Sequence, residues 1–363
     1  MPLSTKNETE GGLTTSVGSR IRVLVVDDSA FVRRAIIKML EQSVEIQIID
    51  VASDGDMAIE LIKKHRPDVV TLDVQMPVLD GLQALERIMI ECPVPVIMLS
   101  SLTGKGGYKT LRALELGAVD FIDKSSAGGS MDISGLASEL TVKIKIAARI
   151  DLKKLKTGDM PGYASKTAPL TPRMTDTEIV IIGTSTGGPP ALQAILTKIP
   201  ANFPCPILVV QHMSLGFTAP LAERLNRLCP LRVKEAEDGD KLEAGTAYIA
   251  PAGKHLKVCR HSGTLLARLD NFPDNVLHRP SVDVLLSSVA GVCGSKCLAF
   301  VLTGMGKDGA VGAQDIKRAG GRVVVESEET AIVFGMPKAV MEAVRVDCSA
   351  PLYRIADLML EMI

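Results

Sequence analysis

Two groups of residues in this chain have the types and placement that chemistry needs. In the first, Asp27 and Asp28 follow the apolar run IRVLVV (21–26) and Asp73 ends DVVTLD (68–73). Ser100 ends PVIMLS (95–100), and Lys124 follows AVDFI (118–122). Three carboxylates brought together repel unless a hard cation neutralises them, and oxygen donors of this kind suit Mg²⁺. An aspartate beside Mg²⁺ is a competent nucleophile toward a phosphoryl donor. A hydroxyl and an ammonium close by can then bind the phosphoryl oxygens. In the second group, Ser185 lies in the glycine-rich turn 183–189 (GTSTGGP), His212 follows PILVVQ (206–211), and Asp308 lies in GMGKDG (304–309). A serine, an imidazole and a carboxylate on three strand ends are what hydroxyl activation requires, the imidazole removing the proton and the carboxylate orienting the ring.

Plainer roles exist for each residue. Asp28 or Ser29 suits a helix N-cap, Asp73 a turn, Ser100 a loop and Lys124 the surface; their common placement on strand ends points instead to one site. The 183–189 turn fits both a nucleophile elbow and a phosphate-cradling loop. A dinucleotide site is disfavoured, because G-x-G-x-x-G spacing is absent and no acidic residue ends the next strand. The order Ser…His…Asp also differs from the Ser…Asp…His order of α/β-hydrolases. On spacing alone, His255 and His278 remain competitors for the base, and Asp238, Asp240 and Asp283 for the acid.

The elements that must position these groups follow from the hydrophobic pattern. Near-continuous apolar runs at 21–26, 46 onward, 68–73, 95–100 and 118–122 alternate with amphipathic stretches near 30–41, 56–65, 81–90 and 107–116. Such alternation predicts βαβ units and a parallel sheet covered on both faces. A basic helix is expected over 134–156, running into a Pro/Gly/Thr-rich linker. A second set of strands is expected at 178–183, 206–211, 247–251, 297–304 and 322–326, with helices near 189–198, 217–228, 281–292 and 310–319. An irregular β-rich insertion falls around 231–270. Sites in such sheets form beyond the carboxyl ends of the strands, which is where both groups sit.

The chain's 363 residues suit two domains of about 100–200 residues each. With 46% hydrophobic and 23% charged residues it reads as a globular protein, and residues 1–20 as a polar, flexible tail without the apolar core of a signal peptide. The formal charge of −1, from 41 basic and 42 acidic side chains, offers no basic excess for nucleic acid. No apolar run approaches the roughly 20 residues that cross a bilayer. Seven cysteines without a CxxC motif read as reduced thiols of a cytoplasmic protein, with neither disulfides nor zinc expected.

Over about 21–145 the chain resembles a response-regulator receiver domain, through VVDDS, LDVQMPVLDG, VIMLSS and GAVDFIDK. The resemblance implies Asp73 as phosphoacceptor, with Asp27, Asp28 and the Gln75 backbone carbonyl around Mg²⁺. It implies Ser100 as switch hydroxyl, Phe121 as switch aromatic and Lys124 as the phosphate-binding lysine. Ser125 departs from the proline usual after that lysine. Residues 178–346 resemble the catalytic domain of the chemotaxis protein-glutamate methylesterases, through GTSTGGPPAL, VVQHMSLGFTAPLAERL, YIAPAGKH, HRPSVDVLL, VLTGMGKDGA and FGMPKAV. VESEETAIVFGMP departs from that family's usual Gln-Asp-Glu run. This resemblance implies Ser185 as nucleophile, His212 as base, Asp308 as orienting acid, and Thr186 and the Met305 N–H as oxyanion donors.

The expected architecture is α/β, with two doubly wound, mainly parallel sheets joined by a linker. A flavodoxin-like receiver (21–145) precedes the linker (146–177) and a Rossmann-like esterase domain (178–363). The resemblance implies phosphorylation-activated hydrolysis of glutamate γ-methyl esters on chemoreceptors, with glutamine deamidation at the same site. Mg²⁺ serves the receiver only, and the esterase reaction needs no cofactor. The implied partners are methyl-accepting chemoreceptors as substrate and the chemotaxis histidine kinase as phosphodonor. The chain is expected to be cytoplasmic, peripheral to membrane receptors rather than inserted, and not bound to nucleic acid. A receiver-coupled binding module and a hydrolase of another ester or amide are the alternatives.

Overall fold

A computed structural model describes residues 20–100, 106–124, 133–152, 154 and 176–363. The expected linker lies mostly outside these residues, and so do Ser125 and all but the last residue of the expected tail.

The first sheet has strands β1 (Ile21–Val26), β2 (Ile46–Ala52), β3 (Val69–Asp73), β4 (Val96–Ser100) and β5 (Asp120–Asp123). All pair parallel, in the order β2-β1-β3-β4-β5. Helices α1 (Ala30–Leu40), α2 (Gly55–His65), α3 (Gly81–Glu91), α4 (Gly106–Glu115) and α5 (Ile133–Ala147) connect and cover it. Their apolar faces explain why the central strands are buried throughout: β3 and β4 have no exposed residue. The expected basic helix to 156 ends earlier, at Ala147. There the Arg149 and Ile150 N–H groups bond three residues back, which tightens and terminates the last turn.

The second sheet has seven parallel strands in the order β14-β13-β12-β6-β7-β9-β8. They are β6 (Ile179–Thr184), β7 (Ile207–Gln211), β8 (Arg232–Glu235), β9 (Thr246–Ile249), β12 (Cys297–Val301), β13 (Arg322–Glu326) and β14 (Cys348–Ala350). The helices are α6 (Gly188–Leu196), α7 (Thr218–Leu228), α8 (Val282–Cys293), α9 (Ala310–Arg318), α10 (Met336–Ala343) and α11 (Leu352–Glu361). Much of the expected insertion joins the sheet as β8 and β9; the rest is an antiparallel hairpin of β10 (His255–His261) and β11 (Thr264–Asp270). The pattern reading did not resolve β14, α10 or α11.

The chain enters at β6, builds outward to β8, and returns to lay β12 on β6's other side. The crevice at this reversal of strand order is where ligands bind in open α/β sheets. Ser185 follows β6 and Asp308 follows β12, on its two flanks.

Candidate active site and phosphorylation site

Beyond β6 the chain passes through Ser185 to Gly187, whose φ of +80° is a left-handed conformation that glycine adopts without steric cost. The Ser185 N–H donates to the Thr303 carbonyl (3.0 Å) and the Thr184 hydroxyl to the same oxygen (2.8 Å). Gly304 lets the two turns meet, since a Cβ there would lie 2.8 Å from Ser185 Cβ. Gln211, buried at the end of β7, donates Nε2 to the carbonyls of Ser185 and His212, both at 2.9 Å. The turns that carry Ser185 and His212 are thus fixed to one amide.

Asp308 reaches His212 from the far flank, with Oδ2 2.7 Å from Nε2. It also accepts the N–H groups of Val282 (2.7 Å) and Asp283 (2.9 Å) and the Ser281 hydroxyl (2.9 Å), all at the start of α8. Burial opposes its ionisation. The bond to His212, that ring's charge and the two N–H groups outweigh burial, holding the carboxyl well below the usual range. A carboxylate against Nε2 puts the ring proton there and leaves Nδ1 as the basic nitrogen. Nδ1 is buried without a hydrogen-bond partner, so the serine–histidine bond is not formed in this structure. Ser185, Thr186, His212 and Met305 nonetheless line one cavity of about 500 Å³.

The competitors separate cleanly. Asp283 accepts the N–H groups of Gly309 (2.9 Å) and Gly312 (2.7 Å) at the start of α9, and burial, reinforced by Asp308, pushes its carboxyl up to about 6. Asp240 accepts the Glu237 N–H within its own turn, and Asp238 accepts the Leu269 N–H from β11. His255 is buried; its Nδ1 accepts the Ser281 N–H (3.3 Å), so its Nε2 donates to the Pro273 carbonyl (3.1 Å). His278 enters the site. Its ring stacks on His212 with centroids 4.1 Å apart, and burial plus the His212 charge lower it to about 4. It therefore covers His212 as a neutral ring. No spacing in the sequence signals that stack, nor the roles of Gln211 and Ser281.

In the first sheet, the carboxylate oxygens of Asp27, Asp28 and Asp73 lie within 4.8 Å of one another. Ser29 caps α1, which leaves Asp28 uncommitted to the helix. Lys124 Nζ is 2.8 Å from Asp73 and 3.0 Å from Asp27. Even so, burial raises the Asp73 carboxyl above its ordinary value, against the pull of Lys124. One ammonium does not balance three acids, and a cluster of hard oxygens with one exposed member fits Mg²⁺. The Gln75 N–H donates to Asp73 Oδ1 (3.2 Å), which keeps residue 75 beside the carboxylate. Ser100 is buried and accepts the Thr110 hydroxyl (2.7 Å).

Residues 180–359 match the family described as CheB methylesterase, and residues 23–132 the response regulator receiver domain. The protein-glutamate methylesterase/protein-glutamine glutaminase of Halalkalibacterium halodurans is 45% identical over 345 residues, covering 93% of this chain and 97% of that one. Its counterpart in Lawsonia intracellularis is 44% identical over 347 residues, with the same coverage of 93% and 97%. The solved CheB methylesterase catalytic domain of Thermotoga maritima is 46% identical, covers 52% of this chain and 99% of its own, and superposes with a TM-score of 0.51. The chain belongs to the CheB methylesterase family.

In this CheB-family chain the receiver forms part of the wall of the esterase cavity, through Asp120, Phe121, Ser138, Glu139 and Lys143. The Thr186 hydroxyl donates to Asp120 Oδ2 (2.6 Å). Lys143 holds Asp120 in place (3.2 Å) and donates to the Phe121 carbonyl (2.6 Å). Farther out, α4 grips α7: Arg224 pairs with Glu115, and the Tyr108 hydroxyl donates to Glu223 beneath the Arg227 guanidinium. Among the described residues, no helix is long and apolar enough to cross a membrane.

Proposed function

We propose that this protein hydrolyses glutamate γ-methyl esters on chemoreceptors and deamidates receptor glutamines, under control of phosphorylation at Asp73. A receiver over 21–145 and an esterase domain over 178–363 share the work, joined by a linker at 146–177. The observation that carries this reading is the His212–Asp308 pair at 2.7 Å opening onto the same cavity as Ser185. His212 Nδ1 takes the Ser185 proton as Oγ attacks the ester carbonyl, and Asp308 stabilises the imidazolium. The oxyanion forms against Thr186 and the Met305 N–H. His212 returns the proton to departing methanol, or to ammonia when the substrate is a glutamine. A water deprotonated by His212 then cleaves the acyl-enzyme, restoring Ser185 and leaving a glutamate. No cofactor enters this reaction.

Asp73 is the phosphoacceptor. Asp27, Asp28, Asp73 and the Gln75 carbonyl would hold Mg²⁺, which supplies the charge that lets an anionic donor approach the carboxylates. Lys124 binds the phosphoryl oxygens, and Ser100 turns toward them at the expense of its bond with Thr110. Thr110 lies on α4, the helix that grips the esterase domain, and Phe121 sits at the interface itself; both lie on the route from Asp73 to Thr186. The phosphodonor is a histidine kinase of the chemotaxis system, and the chain works in the cytoplasm at the receptors' surface, without nucleic acid.

Methanol release from receptor membranes bearing labelled methyl esters tests this, with and without a small phosphodonor plus Mg²⁺. Release that rises with the donor and vanishes in Ser185→Ala is expected. Undiminished release from Ser185→Ala would overturn the mechanism.

A further inference from the structure

Behind the nucleophile turn lies a carboxyl that the mechanism above does not use. Glu326 ends β13, is fully buried, and does not line the catalytic cavity. Its Oε2 accepts the Thr303 N–H (2.8 Å) and its Oε1 accepts the Thr330 hydroxyl (2.9 Å). The Thr330 oxygen in turn accepts the Leu352 N–H (2.8 Å) at the start of α11. On the other side, Thr303 contacts all three residues of the Ser185 turn. Its carbonyl accepts the Ser185 N–H and the Thr184 hydroxyl, and its own hydroxyl donates to the Thr186 carbonyl (2.9 Å) while accepting the Val333 N–H (3.0 Å). Thr303 thus ties Thr184, Ser185 and Thr186 together, and its own N–H is held by Glu326.

A carboxyl is an expensive way to satisfy one buried N–H, since burying an acid carries a penalty that a neutral acceptor avoids. Burial alone pushes Glu326 up to about 7, against the pull of its two donors and of Lys154. Lys154 is the charged group facing it: its Nζ donates to the carbonyls of Glu328 (2.6 Å) and Ala331 (3.3 Å), on either side of Thr330. What the carboxyl provides is two acceptor oxygens on a side chain fixed at both ends. Nucleophile placement rewards such stiffness, because a misplacement of about 1 Å costs on the order of a hundredfold in rate.

We propose that Glu326 is a positioning residue for Ser185, holding the serine's backbone at its attack angle through Thr303. The inference rests on the reading of Ser185 as nucleophile. It extends the site one layer beyond the triad, to a residue that touches neither substrate nor the reacting atoms.

The test measures kcat and KM for methanol release by the full chain with phosphodonor, on methyl-esterified receptor membranes, below each variant's unfolding temperature. Glu326→Gln keeps the acceptor for the Thr303 N–H and reverses the bond to Thr330, whose oxygen would accept the amide N–H, and is expected to stay within about threefold of wild type. Glu326→Ala removes the acceptor and is expected to lower kcat at least tenfold with KM unchanged. Glu326→Asp, which keeps the charge and shortens the reach by one methylene, is expected to lower kcat severalfold, again at constant KM. The split between kcat and KM, with rescue by Gln, is what a purely structural role would not produce. Folded Ala and Asp variants with kcat within twofold of wild type would overturn the proposal while leaving Ser185 as nucleophile. A wild-type protein that releases no methanol overturns both.

Discussion

The ring of Phe121, in the receiver, lies 4.5 Å from that of Phe217, in the esterase domain, tilted by 43°. Phe121 is next to Asp120, whose carboxylate holds the Thr186 hydroxyl, and Phe217 precedes α7, whose Arg224 pairs with Glu115. One aromatic contact thus sits between the bond to the Thr186 hydroxyl and the ion pair that joins the two domains. Keeping the site covered 99% of the time requires about 2.7 kcal/mol. The Phe121–Phe217 pair supplies ~0.5–1.5 kcal/mol of that, and the Asp120–Thr186 and Arg224–Glu115 contacts add to it.

The Arg224–Glu115 pair is therefore expected to control basal activity. Arg224→Glu places like charges across the interface and should raise methanol release without phosphodonor severalfold. Glu115→Arg combined with Arg224→Glu should bring it back, as a double-mutant cycle separates the pair from its surroundings. Basal release unchanged in the single variant would show that this contact does not hold the domains together.

Asp120→Ala removes the carboxylate that engages Thr186 and leaves Lys143 paired with Glu139. Basal activity should rise, and the further gain from phosphodonor should shrink, because part of what phosphorylation releases is already gone. A variant with wild-type basal rate and full activation would mean that Thr186 is not limiting in the closed state.

Asp73→Asn should abolish activation by phosphodonor and keep the basal rate. Chelating Mg²⁺ should do the same to the wild type, since the proposed metal site lies in the receiver and no step of the proposed hydrolysis uses it. Basal hydrolysis lost on chelation would contradict that division of labour.

Why the strand-end residues were legible in the sequence, and the interface was not, is a matter of range. Asp73, Ser100, Ser185 and His212 each follow a short apolar run, and a parallel sheet buried on both faces writes such runs as continuous hydrophobic segments. The order of strands then decides which ends converge, and motif resemblance covered that step. Asp120 reading Thr186, His278 stacking on His212 and Glu326 reaching Thr303 join residues whose separation in the chain carries no period. Spacing alone did not separate Asp308 from Asp283, and the family resemblance chose Asp308; each lies at the start of the other's helix, and only Asp308 touches the histidine.

Asp308→Asn is expected to lower kcat by at least a thousandfold with little change in KM. The amide cannot accept both N–H groups, the Ser281 hydroxyl and the His212 proton at once, so the ring loses its tautomer and its orientation. In serine-protease triads the corresponding change costs roughly 10⁴. A loss below tenfold would show that His212 is held chiefly by its stack with His278.

The buried acid and the half-buried histidine make opposite predictions about stability and pH. Glu326 is pushed by burial from 4.5 to about 7, so between those values the folded state keeps a proton that the unfolded chain has released. Its contribution to stability is present below about pH 4.5 and falls as pH rises to 7. His278 is lowered from 6.5 to about 4, chiefly by burial, so on acidification the unfolded chain takes up its proton first. That contribution is intact above about pH 6.5 and is lost as pH falls toward 4. Thermal unfolding of Glu326→Gln and wild type side by side isolates the first effect. The Gln variant should gain on wild type steadily from pH 4.5 to 7 and hold a constant margin above that. A margin independent of pH across this range would mean that Glu326 stays ionised in the fold, with Lys154 and its two donors compensating for burial.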